Sequence, residues 1–198
     1  MGKIASRPAP VPKLRFRPLT LARWTDLERL FGDRGACGGC WCTYWIRHHA
    51  EFEKHKGTGN KRALKRMLAA GEELGLIAYA GREPVGWCAL GPRERYTRLA
   101  RSRILKPVDE QPVWSVVCFF VAKPFRRSGV SVELLGAAAR HAKRRGARFL
   151  EGYPVEPKKA PMPDAFAWTG LAPAFRKTGF TEVLRRSKTR PIMRNNLR

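Results

Sequence analysis

The chain has 198 residues, 43% of them hydrophobic, which suits one domain with a real core. Lys and Arg number 40 against 16 Asp and Glu, a formal net charge of +24 that disfavours a polycationic partner and favours anions, from small phosphates to nucleic acid. No stretch reaches the roughly 18–20 apolar residues of a bilayer span, so no membrane partner is expected.

Residues 1–13 (MGKIASRPAPVPK) carry charge and prolines without the apolar run of a secretory signal. They read as a flexible leader, with residues 14–198 as the folded domain. Residues 14–19 (LRFRPL) alternate apolar and basic and predict a first strand. Thr20 is a candidate cap for the helix LARWTDLERLF, which Gly32 ends.

Residues 35–55 then bring three cysteines, Cys37, Cys40 and Cys42, close to His48, His49 and His55. Thiolates and imidazoles at this range suit zinc, but a structural zinc site ordinarily has a second paired knuckle, which is missing here. The preferred reading is a pocket wall built from Trp41, Tyr44, Trp45 and Glu51, with no metal. The odd count of five cysteines fits a reducing, cytoplasmic compartment, with Cys88 and Cys118 as buried thiols.

A basic helix is expected over residues 61–70, and a hairpin over 74–80 and 84–90 turned at Gly81. Residues 93–104 suggest a short basic helix, and 106–112 a proline-bounded loop. Residues 113–121 (VWSVVCFFV) are almost unbroken apolar and read as a strand buried on both faces. A basic turn ending in Gly129 follows, then a helix from Val130 with Val132, Leu135, Ala138, Ala139 and Ala142 at helical spacing. Further strands are expected over 148–155, 180–186 and 189–197, with an irregular proline-marked loop over 156–164 and a helix from about Thr169 or Gly170.

A glycine turn between a buried strand and a helix start is suited to phosphate, because the first helical N–H groups lack partners and carry partial positive charge. Arg126-x-x-Gly129-x-Ser131 resembles the R/Q-x-x-G-x-G/A signature of the GNAT acetyltransferases, with Ser131 in place of Gly or Ala. A second resemblance lies in residues 174–180 (AFRKTGF), like the late LYEKxGF-type segment of that family.

The resemblance implies an α/β (α+β) GNAT fold: a central mixed, mostly antiparallel sheet of six to seven strands flanked by about four helices. It implies acetyl-CoA as co-substrate and an amine, of a small molecule or a protein, as acceptor. The CoA diphosphate would lie on Arg126, Arg127, Ser128, Gly129, Val130 and Ser131, and the pantetheine arm would pair with an exposed strand edge at Phe119, Phe120 and Val121. Where the family often has a Tyr as proton donor, this chain has Phe175, so Tyr153 is the substitute donor and Glu151 the candidate base. The alternatives are a non-catalytic acyl-CoA-binding sensor and, less favoured, a nucleic-acid-binding protein on the same fold. Either a monomer or a homodimer is compatible with the sequence.

Overall fold

A computed structural model describes residues 13–157 and 166–198. Apart from Lys13, the expected leader lies outside them, as does most of the proline-marked loop. The described elements are β1 (Leu14–Pro18), α1 (Trp24–Phe31), α2 (His49–Lys54), α3 (Thr58–Ala69), β2 (Gly75–Ala80), β3 (Glu83–Pro92) and α4 (Thr97–Ala100). They continue as β4 (Trp114–Val121), α5 (Val130–Arg144), β5 (Phe149–Gly152), α6 (Ala172–Arg176), β6 (Thr181–Arg185) and β7 (Pro191–Asn196).

Seven strands form one mixed sheet in the order β1-β2-β3-β4-β5-β7-β6. The β4–β5 pair is parallel, with α5 as the crossover between the two strands, and the other neighbours are antiparallel. Helices α1, α3 and α4 bury Leu27, Leu64 and Leu99 on one face of the sheet. Helices α5 and α6 cover the other face with Leu134, Leu135, Ala138 and Phe175. The fold class expected from the sequence is the one observed. Among the described residues six α-helices stand where about four were expected, and α2, α4 and α6 have six residues or fewer. Among the described residues no helix is long and apolar enough to cross a membrane.

The buried stripe of α5 differs from the expected one. Val130, Leu134, Leu135, Ala137, Ala138, His141 and Ala142 are buried, while Val132 and Ala139 fall at the margin. Gly86 on β3 explains the close seat of this helix: a Cβ there would lie 2.9 Å from Val130 and 3.1 Å from Leu134. Truncating a leucine as enclosed as Leu134 to alanine costs roughly 2–5 kcal/mol.

The feature that shapes the site is the parting of β4 from β5. They pair only at 114–116 against 150–152. The next residue, Val117, is an extra residue in the pairing of β4 with β3, where Ala89 faces Cys118 and Leu90 faces Val116. Such a bulge bends and twists a strand, and here it turns β4 away from β5.

A buried ionic clamp closes the narrow end of the resulting wedge. Glu151 Oε2 accepts from Arg93 at 2.7 Å and from the Tyr153 hydroxyl at 3.0 Å, while Oε1 accepts from Arg194 at 2.6 Å. Arg194 also grips Asp109 at 2.8 Å, holding that carboxyl below the usual range. The hydroxyls of Ser115 and Tyr153 meet at 2.8 Å, which ties β4 to the end of β5. The two residues singled out for proton transfer therefore sit inside this clamp, Glu151 at 1% and Tyr153 at 0% exposure. Burial and then the negative Glu151 hold the Tyr153 hydroxyl well above its ordinary range, so it remains protonated.

Removing the charge of Glu151 leaves two arginines facing a neutral group in a dry site. Glu151→Gln is therefore expected to cost roughly 3 kcal/mol or more. For a chain of this size that lowers Tm by about 6–12 °C, which calorimetric melting will read. An unchanged Tm would show that the clamp does not hold the sheet.

Candidate functional site

The turn between β4 and α5 has the conformation an anion site needs. Arg127 and Gly129 both have left-handed backbone, with φ of 62° and 89°, on either side of Ser128. For an arginine that conformation is strained, and strain of this kind concentrates at functional turns. Turns that alternate hands can bring successive N–H groups together on an anion. Among the described residues the N–H groups of Arg127, Ser128 and Gly129 find no acceptor. Nothing lies within 4 Å of where a Gly129 Cβ would be, so the approach is open. The turn is braced from within: Ser128 Oγ donates to the Phe125 carbonyl at 2.5 Å, and Arg126 Nε donates to the Val121 carbonyl at 3.0 Å. Arg127 is exposed, Ser131 is half-buried and Val130 is anchored in the core. Helix α5 adds fifteen residues of aligned peptide dipole behind them.

The strand edge departs from expectation. The resemblance implies a free edge at residues 119–121 for a ligand's amide chain, but groups of this chain already occupy part of it. The Val117 carbonyl accepts from Trp45 Nε1 at 3.2 Å, and the Phe119 N–H donates to the Trp168 carbonyl at 2.6 Å. Residues 168–172 run through the wedge as a strap. On its other side Val155 donates to the Gly170 carbonyl and accepts from the Ala172 N–H, both at 2.9 Å. The ring of Phe175 supports the strap from below. It packs edge-on to Phe119 and Phe180, and a Cβ on Gly152 or Gly170 would lie 1.9 or 2.6 Å from its atoms. Phe120 points to the opposite face of the sheet, against Phe31.

On that opposite face an aromatic wall stands over the wedge. Trp168 stacks on Trp45 at 5.7 Å and meets Tyr44 edge-on at 5.3 Å. Tyr44 and Trp45 line an open cleft of about 360 Å³ with His48, His49, Thr97, Arg98, Arg101 and Ser102. The other two residues assigned to this wall lie elsewhere. Trp41 is a core residue, 4% exposed and packed between Trp24 and Phe31. Glu51 faces away, paired with Arg47 and His55 beside α3. Sequence reasoning missed Trp168 and Arg98, because neither stands in a periodic segment or a motif.

The cysteines and histidines of residues 37–55 diverge. Cys37 is exposed, and burial pushes the half-buried Cys40 thiol up to about 12. Cys42 turns inward, its Sγ 3.3 Å from that of Cys118; the neighbouring thiol and burial hold it protonated. Among the described residues no group of three or more His, Cys, Asp or Glu is arranged to hold a metal ion.

No curated protein matches the sequence. Solved structures share the fold. PaiA N-acetyltransferase from Thermoplasma acidophilum, in complex with coenzyme A, is 15% identical, with a TM-score of 0.53 over 93% of this chain and 99% of that one. A GNAT-family acetyltransferase from Listeria monocytogenes is 9% identical, with a TM-score of 0.57 over 93% and 95%. One from Streptococcus agalactiae is 11% identical, with a TM-score of 0.54 over 92% and 95%. At these identities the likeness speaks for the fold alone. The sequence carries more: the model of the acetyltransferase (GNAT) family matches residues 41–158, well over half of the chain, from the aromatic segment past the glycine turn and β5. The chain belongs to the GNAT acetyltransferase family.

Proposed function

We propose that the protein is an acetyl-CoA-dependent N-acetyltransferase that moves an acetyl group directly to an amine. The observation that carries this reading is the turn at Arg127 and Gly129, whose N–H groups lack acceptors among the described residues at the start of a long helix. That arrangement suits a diphosphate, and PaiA, a protein of the same fold, is described with coenzyme A bound. Residues 126–131 would hold the diphosphate. Acetyl-CoA would supply an activated acyl group whose thiolate is a tolerable leaving group near neutral pH, since the reference thiol pKa is about 8.5. No tyrosine donor is then required at the position of Phe175.

To the Phe119 N–H we assign the stabilisation of negative charge on the acyl oxygen. That N–H is engaged by the Trp168 carbonyl, so activity in this reading requires the strap to yield it. Glu151 and Tyr153 act as positioning residues. Both oxygens of Glu151 are held by arginines, and the Tyr153 hydroxyl is enclosed by Ser115, Arg93 and Glu151. We assign the uptake of the ammonium proton to His48 or His49, which stand in the cleft beside Tyr44.

One observation favours a second reading, a non-catalytic acyl-CoA sensor. The Trp168 carbonyl already satisfies the amide that the reaction would use, and Phe175 locks the strap from beneath. Release of CoA thiol with an amine panel separates the two: steady turnover supports the enzyme, and tight binding without turnover supports the sensor.

Two outcomes are expected. Titration calorimetry should detect CoA and acetyl-CoA, and Gly129→Val should weaken both. A β-branched residue at that φ costs about 1–2 kcal/mol in the backbone alone, or roughly a tenfold loss. No heat with wild-type protein would end both readings. Acetyl-CoA should also change tryptophan fluorescence in wild type, and less in Trp168→Phe, because the strap moves; a signal undiminished by the substitution would leave the strap in place.

A further inference from the structure

Helix α3 has two faces of opposite character. Ala63, Leu64 and Leu68 are buried in the core. Arg62, Lys65, Arg66 and Ala69, at positions i, i+3, i+4 and i+7 of the other face, are exposed. These four line a groove of about 510 Å³ together with Gly59, Arg47 and His55. The segment that supplies Arg47 and His55 gives His48 and His49 to the aromatic cleft.

Two features fix the shape of the groove. Gly59 lets α3 start hard against the end of α2, since a Cβ there would lie 2.7 Å from the His55 Cβ. Asn60 is fully buried beneath it. Its Oδ1 accepts from Arg47 Nη1 at 2.8 Å, and its Nδ2 donates to the Gly39 and Phe52 carbonyls, both at 3.3 Å. The Arg47 guanidinium is therefore held in place before any ligand arrives, which lowers the cost of binding one.

The groove also carries uncompensated charge. Glu51 is shared by Arg47 at 3.4 Å and His55 at 3.2 Å. On the same helix Lys61 holds Glu28 at 2.9 Å. Among the described residues Arg62, Lys65 and Arg66 make no ion pair. No carboxylate lines the groove, and its only apolar side chain is that of Ala69.

We propose that this groove docks nucleic acid through its phosphodiester backbone. Guanidinium groups match phosphate in shape as well as charge. Duplex DNA presents one negative charge per about 1.7 Å of its axis, a density to which a row of cations on one helix face responds strongly. An anionic membrane fits less well, because interfacial helices insert large apolar side chains and this face has none. The cations touch backbone and not bases, so the docking is indifferent to sequence. The inference is independent of the acetyltransferase reading: α3 lies on the face of the sheet opposite α5, whose start carries the glycine turn.

Fluorescence anisotropy with a labelled duplex DNA and a labelled oligouridylate tests this, with polyglutamate and phosphatidylserine vesicles as comparators. Wild type should bind at least one nucleic acid more tightly than either comparator, and saturating CoA should leave that binding in place. Arg62→Gln combined with Arg66→Gln should lower the log–log salt slope by about 1.8 for the duplex or about 1.4 for the single strand. At about 0.1 M salt it should weaken binding by about tenfold or more. Lys143→Gln combined with Arg144→Gln removes the same charge from the exposed surface of α5 and should change both quantities far less. Equal losses in the two double variants would make the affinity a property of net charge and overturn the groove. So would comparators that bind as tightly as nucleic acid, or displacement of the nucleic acid by CoA. Wild type alone supplies a further check: bound nucleic acid should shield Lys65 from acylation by an N-hydroxysuccinimide ester and leave Lys143 reactive. Unshielded Lys65, or equal shielding of both lysines, would overturn the proposal.

Discussion

Everything at the candidate site depends on where β4 stops pairing with β5. Three residue pairs hold the strands together, and the extra residue at Val117 then turns β4 aside. The wedge would be costly if its walls were left bare, because strand-edge N–H and C=O groups inside a protein must find partners. Two solutions exist: a ligand with amide groups, or the chain itself. This chain supplies its own, with the Trp45 indole on one carbonyl and the Trp168 carbonyl on the Phe119 N–H. A ligand entering the wedge thus replaces existing hydrogen bonds instead of satisfying orphaned ones, and its net gain is the difference between the two sets.

The clamp at the narrow end shows why so basic a chain can still carry information in its charges. With 40 cations and 16 anions, carboxylates are scarce. The most buried of them among the described residues, Glu151, serves two arginines and a tyrosine at once. Surface pairs such as Lys56 with Glu53 contribute little to stability, whereas Glu151 fixes the place from which the strands diverge.

The parts of the fold that were legible in the sequence rest on local rules. The apolar run of β4, the glycine that starts α5 and the hairpin of β2 and β3 all depend on residues a few positions apart. The α5 stripe was read one position out of phase, because Val132 and Ala139 are as apolar as the residues that face the sheet; the choice is made by Gly86, on a distant strand. The role of Glu151 was not legible. Its partners lie 58 and 43 residues away, and a glutamate on a central strand reads equally well as a base or as an ion-pair hub. Trp41 and Trp45 look alike in sequence, yet one packs on α1 and the other reaches β4. The left-handed backbone at Trp41 and Cys42, at 45° and 47°, sends the chain one way and then back, and no propensity predicts that for a tryptophan.

The substitution at Phe175 and the closure of the wedge are two sides of one packing event. A ring at this position fills the space over Gly152 and Gly170, both of which must lack a side chain for it to fit. It is fully buried and reaches Phe119, the residue whose N–H the strap takes. A hydroxyl on that ring would need a partner in an apolar cluster of Phe119, Phe175 and Phe180. Phenylalanine removes that need and lets the strap sit down on β4. The residue that departs from the family pattern is thus the one that lets the chain close its own wedge, which makes the strap a consequence of the sequence and couples any opening of the site to repacking of this cluster.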